Sequence, residues 1–207
     1  MAAVSSARGS LLMSQEPFSI LAVCTGNVCR SPAVERLLAS KLGPTVTVSS
    51  AGTHALVGNP ISDPMAELLL DSGVEPDSFE ARRLSQHMLK EADLILSMTR
   101  AQRGLVVELW PAAVRRTFTL REFARLLSWV DPAALPLGPP VERLRAAVPL
   151  AAEGRGMERM SSDEDDVVDP FRLSKAVYEA SFAQIASAVD AIVYTIVMNQ
   201  PRRARRI

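Results

Sequence analysis

The chain has 207 residues, 48% of them hydrophobic and 22% charged, as expected of one globular domain with a substantial core. Its 23 basic and 23 acidic residues cancel, so the overall charge does not indicate nucleic acid or an anionic membrane as the main partner. Two cysteines are too few for a disulfide framework, and with two histidines they do not match zinc-finger spacing. No apolar stretch resembles a signal sequence or a membrane span, so we expect a cytoplasmic protein that does not enter the membrane.

The first predicted elements are a strand, a tight loop and a helix. Residues 18–23 form a short apolar run that is typical of a buried parallel strand. Ser31 is a favourable N-cap and Pro32 suits the first helical position. Apolar residues then recur at helical spacing until Gly43, namely Val34, Leu37, Leu38 and Leu42.

Strands and helices alternate along the rest of the chain. Further strands are predicted at 45–49, 93–97 and 116–120, and further helices near 65–71, 85–92 and 173–199. This alternation predicts right-handed β-α-β units, which form a mainly parallel sheet with helices on both faces. Ligands of such sheets bind beyond the carboxyl ends of the strands.

Three segments depart from this pattern. Residues 1–17 lack periodicity and predict a flexible leader, while residues 201–207 form a basic tail. A proline-rich stretch followed by acidic residues predicts an insertion at about 130–165, within a single domain spanning 18–200. The insertion could be a lid over the site or a tolerated surface loop.

The loop from Cys24 to Arg30 carries the strongest chemical signal. It lies between the first strand and the first helix, where free backbone N–H groups and the helix N-terminus favour an anion. Gly26 and Asn27 can adopt the unusual backbone angles of an anion-binding nest, and Arg30 offers a fork for two oxygens. The same field favours the Cys24 thiolate, a nucleophile beneath a bound phosphate. In the alternative interpretation Cys24 only fills space and Arg30 is a surface charge.

Cleavage of a phosphate ester also needs a proton donor for the leaving oxygen, and three Asp-Pro pairs are candidates. Asp63 and Asp131 are each explained locally, as the cap of a helix and as the start of the insertion. Asp169 remains ambiguous on local grounds, because it could cap the last helix or belong to a solvated acidic run.

Residues Val23–Pro32 resemble the low-molecular-weight protein tyrosine phosphatase family, whose loop reads V-C-x-G-N-x-C-R-S-P. The resemblance continues at 50–53, 58–60, 81–82, 92–95 and 169–171, and covers roughly 18–127 and 163–198. It implies a three-layer α/β fold in which a four-stranded parallel sheet of order 2-1-3-4 is flanked by helices. It also implies that neither a metal nor another cofactor is needed.

The resemblance assigns roles to individual residues. Cys24 would be the nucleophile, Asp169 the general acid, and Ser31 a hydrogen-bond donor to the sulfur. Phosphate would be held by the loop residues Thr25, Gly26, Asn27, Val28, Cys29 and Arg30. Asn27 and Ser50 would hold the loop in shape, although Phe79 stands where many members carry a histidine of that network.

The rim of the site and the second cysteine are also suggested by the resemblance. His54 and Leu56 would form one wall, less aromatic than in several members, and Phe171 the other wall. Cys29 could pair reversibly with Cys24 to protect it from over-oxidation, or could simply pack in the interior.

These features predict hydrolysis of phosphate monoesters through a cysteinyl-phosphate intermediate, with phosphotyrosine proteins as substrates and a tyrosine kinase as the opposing enzyme. The alternative is arsenate reduction with a small external thiol, because no cysteine follows Cys29 to form an internal relay. A third hypothesis is an anion sensor whose tail at 202–206 binds nucleic acid, but terminal arginine runs are more often solvated. The sequence does not indicate the oligomeric state.

Overall fold

The structure, a computed structural model, describes residues 17–155 and 162–199. The basic tail and nearly all of the predicted leader lie outside the described residues. Four parallel strands form one sheet, in the order β2-β1-β3-β4. They are β1 Phe18–Cys24, β2 Val46–Gly52, β3 Leu94–Ser97 and β4 Thr117–Thr119. The predicted fold class and strand order are therefore confirmed.

Seven α-helices accompany the strands in the described ranges. They are α1 Arg30–Leu42, α2 Asp63–Asp71, α3 Gln86–Glu91, α4 Arg100–Leu109, α5 Leu120–Leu127, α6 Pro140–Gly154 and α7 Lys175–Val193. Short 3-10 helices span Pro111–Arg116, Pro132–Ala134 and Ser162–Asp165, and a π turn at Tyr194–Met198 follows α7. The helix predicted at 65–71 starts earlier, because Ser62 and not Asp63 is the N-cap residue.

The sheet separates two cores because successive side chains of β1 point to opposite faces. Ile20 and Ala22 lie in the larger core, with residues of α1, α2, α5, α6 and α7. Leu21 and Val23 lie in the smaller core, with residues of α3 and α4. The three layers place the carboxyl ends of β1 and β3 at one edge, where the loop after Cys24 begins.

Among the residues that the structure describes, one helix, the last, is long and apolar enough for a membrane span. Lys175–Met198 has a mean hydropathy of 1.5 over its best window and the length of a membrane span. Its apolar face packs into the larger core through Ile185, Val189 and Ile192, which are fully buried. A core helix of a globular domain has the same composition, so the hydropathy follows from packing.

Part of the predicted insertion is an ordered helix. Pro140 lies in the first turn of α6, where its missing N–H is not needed. Arg143, which is fully buried, donates to the carbonyls of Thr195 and Asn199 at 2.9 Å, of Ile196 at 2.8 Å and of Pro136 at 2.7 Å. It thereby joins α6 to the π turn after α7.

We expect Arg143→Met to destabilise the fold by about 3 kcal/mol, because four carbonyls, two of them in buried contacts, would lose a charged donor. Thermal unfolding should show a fall of roughly 2 to 4 °C for each kcal/mol lost. Arg145→Met is the matched control on the same helix, since Arg145 is exposed and its guanidinium lies 5.8 Å from the Phe18 ring centroid. Equal melting temperatures for the two variants would contradict the stabilising role of the hydrogen bonds from Arg143.

Glu122 is a buried carboxylate at the start of α5. It accepts hydrogen bonds from Arg155 at 2.8 Å, from Arg103 at 2.7 Å and from the Thr119 N–H at 3.0 Å. Burial raises the pKa of Glu122, but its hydrogen bonds to Arg155 and the Thr119 N–H and the charges of Arg155 and Arg103 together outweigh burial, so its pKa is lowered overall. The ionised form is therefore stabilised by folding.

Because folding lowers this pKa, Glu122 stabilises the protein fully above the unfolded glutamate pKa of about 4.3 and loses that effect as pH falls through the folded value. We expect Glu122→Gln to cost about 2 kcal/mol at pH 7 and progressively less in acid. Denaturant unfolding at several pH values measures the loss of unfolding free energy at pH 7 and its decrease in acid. Glu108→Gln, at an exposed position, is the control, and a pH-independent cost for Glu122→Gln would refute the assignment.

Candidate active site

The loop that follows β1 surrounds the Cys24 sulfur with hydrogen-bond donors. Sγ accepts from the Ser31 hydroxyl at 3.0 Å and from the Asn27 N–H at 3.3 Å. Asn27 has a positive φ of 55°, as predicted for an unusual backbone angle. Gly26 does not have a positive φ. The Cys24 sulfur is thus the acceptor of two hydrogen bonds from the loop and the start of α1.

The predicted cap of α1 is wrong. The helix begins at Arg30, so Cys29 is the N-cap residue and Ser31 lies within the first turn. The physical reason is the Ser31 hydroxyl, which points back to the Cys24 sulfur and does not cap a backbone N–H. This start places the Arg30 guanidinium beside the loop, with a side chain that is only 4% exposed.

A chain of buried hydrogen bonds fixes the direction of the Ser31 donor. Asn27 Nδ2 donates to Ser50 Oγ at 2.8 Å and to Ser31 Oγ at 3.0 Å. Ser50 Oγ in turn donates to Glu35 Oε2 at 2.6 Å, and Asn27 Oδ1 accepts from the Arg82 N–H at 2.8 Å. Because the amide nitrogen of Asn27 can only donate, each serine must accept from it, which leaves the proton of Ser50 for Glu35 and the proton of Ser31 for the sulfur.

Glu35 and Arg82 take part in this network, whereas Phe79 does not. Phe79, at the position where a histidine was considered, is buried in the larger core, and its ring faces Arg36 at 5.8 Å. Glu35 completes the hydrogen-bond chain, and Arg82 Nε also donates to the Ser50 carbonyl at 2.8 Å. Sequence reasoning missed the roles of Glu35 and Arg82, although Glu35 shares a face of α1 with Ser31, one turn away.

Asp169 reaches the loop from a distant part of the chain. Its Oδ2 forms an ion pair with Arg30 Nη2, 139 residues away in sequence, and its Oδ1 accepts from the Phe171 N–H at 3.2 Å. Arg30 Nη1 also donates to the Val167 carbonyl at 3.3 Å. The Asp169 side chain is 52% exposed, so one oxygen faces the guanidinium while the carboxyl group remains accessible.

The segment before Asp169 is anchored on α5. Arg125 binds both carboxylate oxygens of Asp165 at 3.0 Å, and Thr119 Oγ1 donates to the Asp165 carbonyl at 2.8 Å. Arg121 Nη1 donates to the Asp166 carbonyl at 3.0 Å. A bidentate arginine pair gives both strength and a fixed orientation, so the approach to Asp169 is held firmly.

A cavity of about 130 Å³ unites most of the predicted site. Its lining residues are Cys24, Thr25, Gly26, Val28, Cys29, Arg30, His54, Leu56, Asp169 and Phe171. The predicted rim residues thus face the same cavity as the predicted nucleophile and acid. Asn27, Ser31 and Ser50 lie behind the loop and are fully buried.

Cys29 has different surroundings from Cys24, and both thiols are free. Its Sγ lies 3.1 Å from Ser62 Oγ and 3.6 Å from the Tyr178 hydroxyl. Burial raises the pKa of the Cys29 thiol, although these two hydrogen bonds act in the opposite direction. Burial therefore favours the neutral thiol of Cys29.

Gln102 is a further contact that the sequence did not reveal. Its Nε2 donates to Thr25 Oγ1 at 3.0 Å, and its Oε1 accepts from the Met98 and Thr99 N–H groups at 3.1 Å. The side chain ties the first residue of the loop to the turn between β3 and α4. The two residues are 77 positions apart, and the capping-box pattern that begins at Thr99 was the one local signal.

Comparison with known proteins agrees with this geometry. The family model described as low molecular weight phosphotyrosine protein phosphatase matches residues 19–131. The chain is 39% identical to a protein-arginine-phosphatase of Geobacillus stearothermophilus over 132 residues, 63% of this chain and 86% of that one. It is 38% identical to the low molecular weight protein-tyrosine-phosphatase Etp of Escherichia coli K12 over 121 residues, 58% and 81% of the respective chains.

Solved structures show the same fold. The YwlE arginine phosphatase from Geobacillus stearothermophilus superposes with a TM-score of 0.63 and 29% identity, covering 86% of this chain and 91% of that one. The tyrosine phosphatase AmsI of Erwinia amylovora gives a TM-score of 0.65 at 24% identity, covering 89% and 97%, which supports the fold alone. With the family model matching more than half of its length, the chain belongs to the low molecular weight phosphotyrosine protein phosphatase family of hydrolases.

Proposed function

We propose that this hydrolase removes phosphate from phosphotyrosine proteins, with Cys24 as nucleophile, Arg30 as phosphate clamp and Asp169 as general acid. The supporting observation is that these three side chains line one cavity, although Asp169 is far from the other two in sequence. Thr25, Gly26, Asn27, Val28 and Cys29 complete the phosphate-binding loop, and Ser31 and Ser50 support it.

In the first step the Cys24 thiolate attacks phosphorus and the bond to the leaving oxygen breaks. Asp169 gives its proton to that oxygen, so the alcohol or phenol leaves neutral. Arg30 and the loop amides bind the equatorial oxygens, where charge must be stabilised in the transition state. The product of this step is a cysteinyl phosphate.

In the second step Asp169, now ionised, takes a proton from water, and the resulting oxygen attacks phosphorus. The sulfur–phosphorus bond breaks and its electron pair returns to Cys24 as a thiolate. The Ser31 hydroxyl, 3.0 Å from Sγ, stabilises the departing sulfur. Inorganic phosphate leaves and the enzyme is regenerated.

The cavity lining favours a phosphorylated phenol over a phosphorylated guanidine. Leu56 and Phe171 offer apolar walls to a ring, with His54 beside them. Among the cavity-lining residues of the described chain, Asp169 is the single carboxylate, and Arg30 already pairs with it. A positive guanidinium would therefore meet one cation and no additional anion.

Arsenate reduction has less support than hydrolysis. The compared proteins are named as phosphatases, and an arsenate reductase would not need the acid at Asp169. As the setting of the reaction we propose the cytoplasm, with a protein tyrosine kinase supplying the substrates. We further propose one catalytic domain at 18–200, in which the segment at about 130–165 is an insertion.

A substrate panel tests the proposal. Purified wild-type protein should hydrolyse a phosphotyrosine peptide at least about tenfold faster, in kcat/KM, than the same peptide carrying phosphoserine or phosphoarginine. Arsenate with a small thiol is the fourth arm, followed as thiol oxidation, and should give no turnover. Preferred hydrolysis of phosphoarginine would overturn the substrate assignment, and arsenate-dependent thiol oxidation would overturn the assignment as a phosphatase.

A further inference from the structure

A second hollow opens beside the catalytic cavity. It measures about 540 Å³ and shares Thr25, Arg30, His54 and Asp169 with that cavity, so the two are continuous. Its other walls come from the beginning of α4 and from the segment before Asp169. We refer to it as the α4 groove.

The polar groups of the α4 groove already have protein partners. The Gln102 amide is engaged by Thr25, Met98 and Thr99, as described above. Asp166 Oδ1 accepts from the Arg100 N–H at 2.7 Å, and the Asp166 carbonyl accepts from Arg121. The Gln102 and Asp166 side chains therefore each have at least one protein partner.

The surface left for a ligand is aliphatic. Leu105 is 44% exposed and Val168 is 39% exposed, and both line the groove. Two carboxylates, Asp166 and Asp169, lie along the groove with one guanidinium, that of Arg30, which is paired with Asp169, so the lining offers no net positive charge to an acidic group. This combination suits an uncharged aliphatic side chain and disfavours aspartate, glutamate or a second phosphate.

We infer that the α4 groove is a substrate subsite, which binds an aliphatic side chain within two residues of the phosphorylated residue. The inference rests on the proposed function, because a phosphorylated side chain in the catalytic cavity places its own main chain at the common rim formed by His54 and Asp169. The groove is four times the volume of the catalytic cavity and accommodates a side chain together with a stretch of backbone.

The experiment compares peptides that share one phosphotyrosine and carry leucine or aspartate at each neighbouring position in turn. Wild-type protein should prefer leucine at one of these positions by about tenfold in kcat/KM, the usual selectivity of an apolar subsite. Leu105→Ser should reduce this preference to about twofold or less, because the exposed aliphatic wall is removed. Hydrolysis of p-nitrophenyl phosphate, which does not reach the groove, should be unchanged.

Leu109→Ser is the matched control, since Leu109 lies on α4 one turn further on, is 41% exposed and does not line the groove. It should keep the wild-type preference. Equal kcat/KM for all peptides, or the same preference in Leu105→Ser as in wild type, would overturn the subsite while hydrolysis of the aryl phosphate upheld the phosphatase. Failure to hydrolyse any peptide or the aryl phosphate would overturn both proposals.

Discussion

Cys24→Ser should abolish hydrolysis of aryl phosphates, with kcat falling by at least about 10⁴-fold. A serine hydroxyl is a far weaker nucleophile than a thiolate at neutral pH, and the two groups bonded to the Cys24 sulfur, the Ser31 hydroxyl and the Asn27 N–H, act as donors there and not as bases. A continuous assay with p-nitrophenyl phosphate measures the loss.

The control for Cys24→Ser is its ability to bind inorganic phosphate. Arg30 and the loop amides are unchanged in Cys24→Ser, so inorganic phosphate should still bind and raise the melting temperature. An inactive variant that binds phosphate separates lost chemistry from lost structure. Residual turnover within about a hundredfold of wild type would exclude Cys24 as the nucleophile.

Asp169→Asn should lower kcat/KM, which reports the first step alone, by about 10² to 10⁴-fold for a phosphotyrosine peptide, because the poor leaving oxygen then departs without a proton. The loss should be much smaller for p-nitrophenyl phosphate, whose leaving group is already stable as an anion. The ratio of the two losses identifies a proton donor, because a merely structural defect would reduce both rates alike.

Glu164→Gln provides the matched carboxylate-to-amide control. Glu164 is exposed, lies in the same acidic run and does not line the cavity. It should retain both activities. Equal losses on the two substrates in Asp169→Asn would contradict the role of Asp169 as acid, and a comparable effect of Glu164→Gln would indicate a general charge effect.

The sequence revealed the site where its chemistry is local. The segment from Phe18 to Leu42 contains strand, anion loop and helix, and each is encoded by neighbouring residues. Ser31 was wrongly predicted as the cap because a local capping rule does not take into account the Cys24 sulfur, to which the Ser31 hydroxyl donates. Asp169 was ambiguous on local evidence and gained its candidate role only through the family resemblance.

The elements that the sequence did not predict depend on distant partners. The helix α6 occupies a proline-rich stretch that resembles a loop, yet Pro140 is compatible with the first turn and Pro149 is accommodated within the helix. Its stability derives from burial of Leu144 and Ala147 and from Arg143, whose carbonyl partners at the π turn lie more than 50 residues away. Pattern rules contain no information about such partners.

The hydrogen bonds from α5 to Asp165 and Asp166 hold the chain just before Asp169. The position of Asp169 therefore depends on these contacts more than on the chain that precedes them. Between Val130 and this anchor the chain forms α6, which packs into the larger core, so changes there alter the stability of the fold. The anchor itself fixes where Asp169 emerges. Changes in α6 are therefore expected to act on stability, while the position of Asp169, the proposed proton donor, depends on the contacts that Asp165 and Asp166 make with Arg125 and Arg121.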